Sequence, residues 1–278
     1  MLIVKCVKSL STAVIEEELY MGTKSKGISF WLSVLLTPLI WMIAVVVSLF
    51  CCVTSFFFIL PFSLIFERQR LSWMHFVAVC WAKLIVAFTP LWKVSIEGTE
   101  YIRKDKTYFI VANHQSLLDI LIVLSKLPLH FKFLAKDELF SIPFIGWNMR
   151  FAGYIPIVRS SKESGKRAFD RAKEWIQRGV SVLFFPEGTR SQDGEIKDFK
   201  VGAFKLAREL GADILPVIID GTGDVMPKKS WRLNLKSNFH LVVEKPISSK
   251  EVSEDTNSVK ERIREKMIHR LEKIRSQT

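Results

Sequence analysis

A histidine and an aspartate stand five positions apart in the run Asn113-His114-Gln115-Ser116-Leu117-Leu118-Asp119. An imidazole held at one ring nitrogen by a carboxylate keeps the other nitrogen as a base, so this pair could take a proton from a hydroxyl. The spacing restricts how the two can meet. On one continuous helix they would point about 140° apart, at 3.6 residues per turn. They come together only if His114 lies in the turn before a helix and Asp119 in its first turns. A second run, Phe185-Pro186-Glu187-Gly188-Thr189-Arg190-Ser191, offers a carboxylate, a glycine that permits close backbone approach, and a guanidinium able to clamp a phosphate through two bonds. Arg159 adds another cation. Taken singly, each feature has an ordinary reading: a packed core histidine, an ion pair in a turn, a surface arginine.

Other chemistries are absent from the pattern. Gly221-Thr222-Gly223 followed by Met226 fails the dinucleotide fingerprint, and there is no P-loop. No cluster has metal-ligand spacing, so neither metal nor cofactor is expected. No serine sits in a G-x-S-x-G elbow. Ser116 reads as a backbone or capping residue beside His114 rather than as a nucleophile.

The elements that must position these residues follow from periodicity. Thr107 to Ala112 precedes His114, and Val180 to Phe185 precedes Glu187; both are apolar throughout and read as buried strands. Tyr154 to Val158 precedes Arg159, with Pro156 arguing for an edge position or a bulge. Val94–Glu97, Phe131–Ala135, Ile214–Ile219 and Phe239–Val243 read as further strands. Helices are expected over Leu117 to Ser125, from a capping box at Ser160-x-x-Glu163 to Gly179, and around Ala203, Phe204, Ala207 and Leu210. Val259, Ile263, Met267, Leu271 and Ile274 mark an amphipathic terminal helix. Strands apolar on both faces, alternating with helices, predict an α/β fold with a mixed central sheet flanked by helices. The candidate residues then lie at the carboxyl ends of strands, where open sheets place their ligands.

The chain of 278 residues is 49% hydrophobic, with mean hydropathy +0.21, yet carries a net charge of +12. Residues 1–91 hold seven Lys and Arg against four Asp and Glu; residues 92–278 hold 33 against 24. A basic body joined to an apolar head fits an anionic membrane surface, an anionic substrate, or both. Nucleic acid would explain the charge but not the head, and is not expected as a partner. Cys6, Cys51, Cys52 and Cys80 form neither a disulfide framework nor a zinc pattern, so a reducing compartment is the default.

Gly27 to Phe66 contains no charged residue. As helix it would run about 60 Å, twice the roughly 30 Å of a bilayer core. Either one long or kinked span or two short re-entrant segments fits, and Pro38 and Pro61 permit kinks. No turn residue favours a tight hairpin between them. Residues 72–92, with Trp73, Trp81 and Trp92, read equally as a helix in the membrane interface or one packed on the body. Pro90 is expected to end it.

Here the pattern becomes specific. The chain resembles the 1-acylglycerol-3-phosphate (lysophospholipid) acyltransferase family. Asn113 to Asp119 resembles its Asn-His-x4-Asp block, and Phe185 to Ser191 its Phe-Pro-Glu-Gly-Thr-Arg-Ser block. Gly153 to Arg159 and Ile214 to Ile218 resemble two looser blocks. Lys136 with Glu138-Leu139, and Phe199-Lys200-x-Gly202, are also similar to family positions. The resemblance spans roughly residues 92–250 and implies a glycerolipid acyltransferase fold. It implies that His114, oriented by Asp119, deprotonates the free hydroxyl of a lysophosphatidate, which attacks an acyl thioester directly. Arg159, Glu187, Gly188, Thr189, Arg190 and Lys136 are implied as substrate-binding. The implied donor is acyl-CoA or acyl carrier protein, used as co-substrate rather than cofactor. The implied organisation is an extension (1–26), hydrophobic membrane-anchoring helices (27–92), a catalytic domain (93–250) and the amphipathic helix (251–278). Anionic lipids would be partners, with the catalytic domain on the cytoplasmic face of a membrane, the inner membrane if bacterial. Rival readings are acyl transfer to another lysophospholipid or to glycerol 3-phosphate, a transacylase, and an inactive lipid-binding module.

Overall fold

The computed structural model describes residues 27–89, 92–158, 160–225, 232–234 and 237–277. Residues 1–26, Pro90 and Arg159, on which expectations fall, lie outside the described residues. The body is a seven-stranded sheet. Its strands are β1 (Trp92–Glu97), β2 (Tyr108–Ala112), β3 (Phe131–Lys136), β4 (Ile155–Ile157), β5 (Ser181–Phe184), β6 (Asp213–Asp220) and β7 (Ser237–Val243). Their order is β1-β7-β6-β2-β5-β3-β4. All pairings are parallel except β6 with β7. The sheet is therefore mixed, as expected, and β2 to β6 all point their carboxyl ends to one edge.

The helices are α1 (Gly27–Thr54), α2 (Leu60–Phe66), α3 (Ser72–Ala87), α4 (Leu118–Lys126), α5 (Ile145–Phe151), α6 (Lys162–Gln177), α7 (Gly202–Glu209), α8 (Thr222–Val225), α9 (Ser249–Glu254) and α10 (Thr256–Gln277). Side-chain alternation assigns them to the two faces of the sheet. Tyr108, Ile110, Leu215, Val217 and Ile219 pack on the side covered by α3 and α4. Phe109, Val111, Ile214 and Ile218 pack on the side covered by α6, α7 and α10. Each large side chain so buried is worth roughly 1.5–3 kcal/mol, which is why the central strands carry no polar alternation. α10 buries Val259, Ile263, Met267, Leu271 and Ile274, the set its spacing marks.

The two prolines within strands both find tolerable positions. Pro156 lies in the edge strand β4. Pro216 lies in the central β6, where its carbonyl accepts from Glu244 N at 3.0 Å, beyond Val243, the last residue of β7. Its missing donor thus falls where the ladder has already ended. The start of α6 differs from expectation by one residue. Ser161, not Ser160, caps it, accepting from Ser164 N at 3.1 Å.

The apolar head is helical from Gly27 to Phe66, with a π-helical stretch at Ser55–Ile59 between α1 and α2. Within it, Ser33–Phe66 contains an 18-residue window of mean hydropathy 2.7 and is long and apolar enough to cross a membrane, by length and composition. The chain turns at Glu67–Leu71, and α3 returns along α1, where Trp81 Nε1 donates to Ser48 Oγ at 2.9 Å. Of the two expectations for residues 72–92, the structure shows packing on the body. Met74, His75, Ala82 and Ile85 are buried against the body, while Trp73, Phe76 and Phe88 are about half exposed.

The turn before α3 is fastened to the body by polar contacts. Arg70 Nη2 donates to the Gly179 carbonyl at 2.5 Å, and His75 Nε2 to the Leu129 carbonyl at 3.0 Å. Lys132 of β3 is fully buried beneath this turn. Its Nζ lies 3.5 Å from the Leu71 carbonyl, 3.2 Å from His130 Nε2, and 4.9 Å from the centre of the Trp175 ring. Burial brings its pKa down to about 7, with Glu67 opposing the shift. The folded protein therefore sheds a proton near pH 7 that the unfolded chain keeps to about pH 10.5. Between these values the unfolded state binds more protons, so this group's contribution to stability rises with pH. Lys132→Met should be more stable than the parent at pH 6, by about 1–3 kcal/mol. The advantage should shrink as pH climbs toward 10, read by denaturant unfolding in detergent across the range.

Candidate active site

β2 ends at Ala112, and the chain leaves it through a turn held by side chains acting as backbone. Asn113 extends the β2–β6 ladder: its Nδ2 donates to the Ile219 carbonyl and its Oδ1 accepts from Ile219 N, both at 2.8 Å. His114 lies in the turn, and Asp119 is the second residue of α4, the arrangement their spacing requires. His114 Nδ1 lies 2.6 Å from Asp119 Oδ2. A carboxylate only accepts, so Nδ1 carries the hydrogen, and in the neutral ring Nε2 is then the nitrogen with the lone pair. Nε2 has no hydrogen-bond partner among the described residues.

Asp119 is completely buried. Its Oδ2 also accepts from Gln115 N at 2.8 Å and Ser116 N at 3.1 Å, and its Oδ1 from Thr222 Oγ1 at 2.5 Å. The turn thus wraps its amides around the carboxylate that orients the imidazole. Ser116 Oγ accepts from Leu118 N at 3.4 Å, but Leu117, not Ser116, stands at the N-cap of α4 and no side chain caps the helix there. The imidazole plane is set from the other side by Phe185, whose ring stacks on it at 4.2 Å between centroids and 20° between planes.

Glu187 to Arg190 follow β5, the strand next to β2. Glu187 is buried, and both of its oxygens are occupied. Oε1 accepts from His114 N at 2.8 Å and Oε2 from Lys197 N at 3.2 Å. Burial pushes its pKa up, and the His114 amide draws it back. In return, Ser191 N donates to the His114 carbonyl at 2.8 Å. The two sequence runs are therefore bonded to each other through backbone groups of His114. Gly188 has φ +71° and its amide donates to the Phe185 carbonyl at 3.0 Å, closing a turn. A β-carbon there would lie 2.7 Å from Lys200 Nζ, so glycine lets this ammonium pack on the loop. Thr189 is exposed and Arg190 half-buried. Neither Arg190 nor Lys200 has a charged partner among the described residues. Both cations belong to the loop segment whose Ser191 amide is bonded to the His114 carbonyl.

Lys136 ends β3, two strands from β2 and so about 10 Å across the sheet. It is exposed and paired with Glu138 at 2.9 Å, and is not brought to His114. β4, which leads toward Arg159, is one strand further out. Among the described residues no group of His, Cys, Asp and Glu could hold a metal ion. Sequence reading assigned no role to Thr222, Phe185 or the Gln115 amide. All three reach the pair through tertiary packing, and only the apolar-strand-then-turn pattern around residues 214–223 hinted that another loop arrives at this edge.

Residues 93–220 match the family model described as Acyltransferase. A chloroplastic 1-acyl-sn-glycerol-3-phosphate acyltransferase of Arabidopsis thaliana is 38% identical over 208 residues, covering 74% of this chain and 58% of that one. A 1-acyl-sn-glycerol-3-phosphate acyltransferase of Borreliella burgdorferi is 31% identical over 186 residues, 66% of this chain and 73% of that one. The crystal structure of the 1-acyl-sn-glycerophosphate acyltransferase PlsC of Thermotoga maritima superposes with a TM-score of 0.75 at 28% identity, over 89% of this chain and 98% of that chain. The fold is thus that of a glycerolipid acyltransferase domain. The chain belongs to the 1-acylglycerol-3-phosphate acyltransferase family. It spans little more than half the length of the plant relatives, 58% and 54% for those of Arabidopsis thaliana and Brassica napus.

The double acceptance by Glu187 yields a test. In Glu187→Gln the amide can accept from only one of the two backbone donors, and its NH2 faces the other. The variant should lose about 1–3 kcal/mol of stability, seen as a lower unfolding midpoint, and turnover should fall with it as the His114 backbone is released.

Proposed function

We propose that the chain transfers an acyl group from a thioester to the free sn-2 hydroxyl of 1-acylglycerol 3-phosphate, giving phosphatidate for phospholipid synthesis. The observation that carries this reading is the 2.6 Å contact of His114 Nδ1 with buried Asp119, which leaves Nε2 as a bare base at the sheet edge. The names of the relatives supply the substrate class. In this reading Nε2 takes the proton of the acceptor hydroxyl as its oxygen attacks the thioester carbonyl. The C–O bond forms, the C–S bond breaks, and the imidazolium returns the proton to the departing thiolate. No acyl-enzyme is required. Arg190, with Lys200 beside Gly188, receives the acceptor phosphate, while Lys136 at the end of β3 and Arg159 are assigned to the more distant parts of either substrate. Glu187 acts on the substrate indirectly, by holding the His114 turn. The donor is acyl-CoA or acyl carrier protein, and no cofactor enters.

The apolar exposed faces of α1 to α3 and the net charge of +12 support association with an anionic membrane surface. The catalytic edge then works on the cytoplasmic face, the inner membrane in a bacterium. Protease added to the opposite side of sealed vesicles should cleave neither terminus; cleavage of both would overturn that orientation.

Purified His114→Ala should lose turnover by at least the roughly 10²–10⁴-fold that general-base catalysis supplies, with vesicle binding unchanged. Near-normal transfer in this variant would sink the assignment. Arg190→Ala should raise the acceptor KM about 10-fold or more, the worth of a charged hydrogen bond, with a smaller effect on the donor KM. Competition among lysophosphatidate, other lysolipids and glycerol 3-phosphate, followed by thiol release from acyl-CoA, identifies the acceptor.

A further inference from the structure

The carboxylate beside His114 receives one of its donors from far away in the sequence. Thr222 lies 103 positions from Asp119, at the start of the short α8 just past β6. It is fully buried. Its Oγ1 donates to Asp119 Oδ1 at 2.5 Å and lies 3.4 Å from Gln115 Oε1. The two oxygens of Asp119 are served unequally. Oδ2 has three donors, all from the His114 turn itself, whereas Oδ1 has only Thr222 among the described residues.

The backbone brings Thr222 there by two constraints. The Asn113 side chain grips both polar groups of Ile219, which fixes the end of β6 against the His114 turn. Gly221 then turns the chain with φ +85°, and a β-carbon there would collide with the Asn238 carbonyl of β7. The hydroxyl is delivered by the sheet, independently of the loop that contains His114.

We propose that Thr222 is a positioning residue for the proton transfer: its hydroxyl fixes the Asp119 carboxylate so that Oδ2 stays aimed at His114 Nδ1, and it moderates the negative potential at the imidazole. This rests on the reading of His114 as the base. A carboxylate can rotate about its Cβ–Cγ bond, and three donors on one oxygen leave the other as the free lever. A donor on Oδ1 removes that freedom and stabilises the ionised carboxylate without protonating it. The positive end of the hydroxyl dipole also faces the carboxylate. It offsets part of the negative charge that would otherwise draw a second proton to Nε2.

The test compares Thr222→Val, which keeps the shape and removes the donor, Thr222→Ser, which keeps the donor, and His114→Ala as reference. All are assayed as full-length protein with acyl-CoA and lysophosphatidate. Losing a hydrogen bond to a charged group should lower kcat of Thr222→Val roughly 10- to 100-fold, with KM for both substrates within about twofold. The acid limb of kcat/KM should move to higher pH, by roughly half a unit, because imidazolium is favoured once the dipole is gone. Thr222→Ser should recover most of kcat and return the limb. A merely structural role would lower the unfolding midpoint without moving the limb. If Thr222→Val does not fold, Thr222→Cys, with its weak donor, should show the same directions at smaller size. Wild-type kcat and an unmoved limb in the folded variant, or no rescue by serine, would overturn the inference while His114→Ala remains inactive. Retained turnover in His114→Ala would overturn the base reading first, and Thr222's role with it.

Discussion

Everything at the sheet edge depends on keeping one carboxylate charged where there is no water. Asp119 has no exposed surface, and an isolated ion in such a place would take up a proton rather than stay charged. The protein meets this cost by aiming four donors at it: an imidazole, two amides of the same turn, and a hydroxyl from the far end of β6. Those donors dictate the local architecture. The amides of Gln115 and Ser116 can point inward only if the chain turns between β2 and α4. That turn in turn sets the direction in which the imidazole leaves the backbone.

A second buried carboxylate repeats the device one strand over. Glu187 spends both oxygens on backbone amides, His114 N and Lys197 N, so it joins the loop after β5 to the turn after β2. The cationic residues of that loop are carried along with it. Arg190 and Lys200 are therefore located relative to His114 by hydrogen bonds of about 3 Å rather than by loop packing alone. A glutamate set among anion-binding side-chain types thus serves the backbone of the neighbouring turn.

Much of this was legible in the chain, for physical reasons that differ from residue to residue. Strands β2, β5 and β6 are buried on both faces, so their composition alone marks them. The His114–Asp119 geometry could be anticipated because helical periodicity excludes every other way for residues at that spacing to meet. Thr222 could not be anticipated: a threonine after a strand has many ordinary uses, and its partner is 103 residues away. Glu187 was visible as a functional type, but whether it faced substrate or backbone depended on the register of β5 beside β2. Lys136 carries the right charge, yet strand order leaves it on the surface beside Glu138. The head was legible as apolar and helical, whereas its return path was not, because the turn sits in the charged Glu67–Leu71 segment rather than at a proline.

The double-sided packing of α3 has a geometric consequence for the whole molecule. One side of this helix presents Trp73, Phe76 and Phe88 outward; the other lies directly on α4, whose first turn contains Asp119. Any surface that receives those aromatic rings lies beyond α3, whose axis is itself about 8–10 Å from that of α4. The height of the imidazole above that surface is thereby fixed by side-chain volumes at a single helix–helix seam. Seating depth and the aim of the base become one variable, so a substitution that thickens the seam would lift the base away from the surface without altering any residue around it.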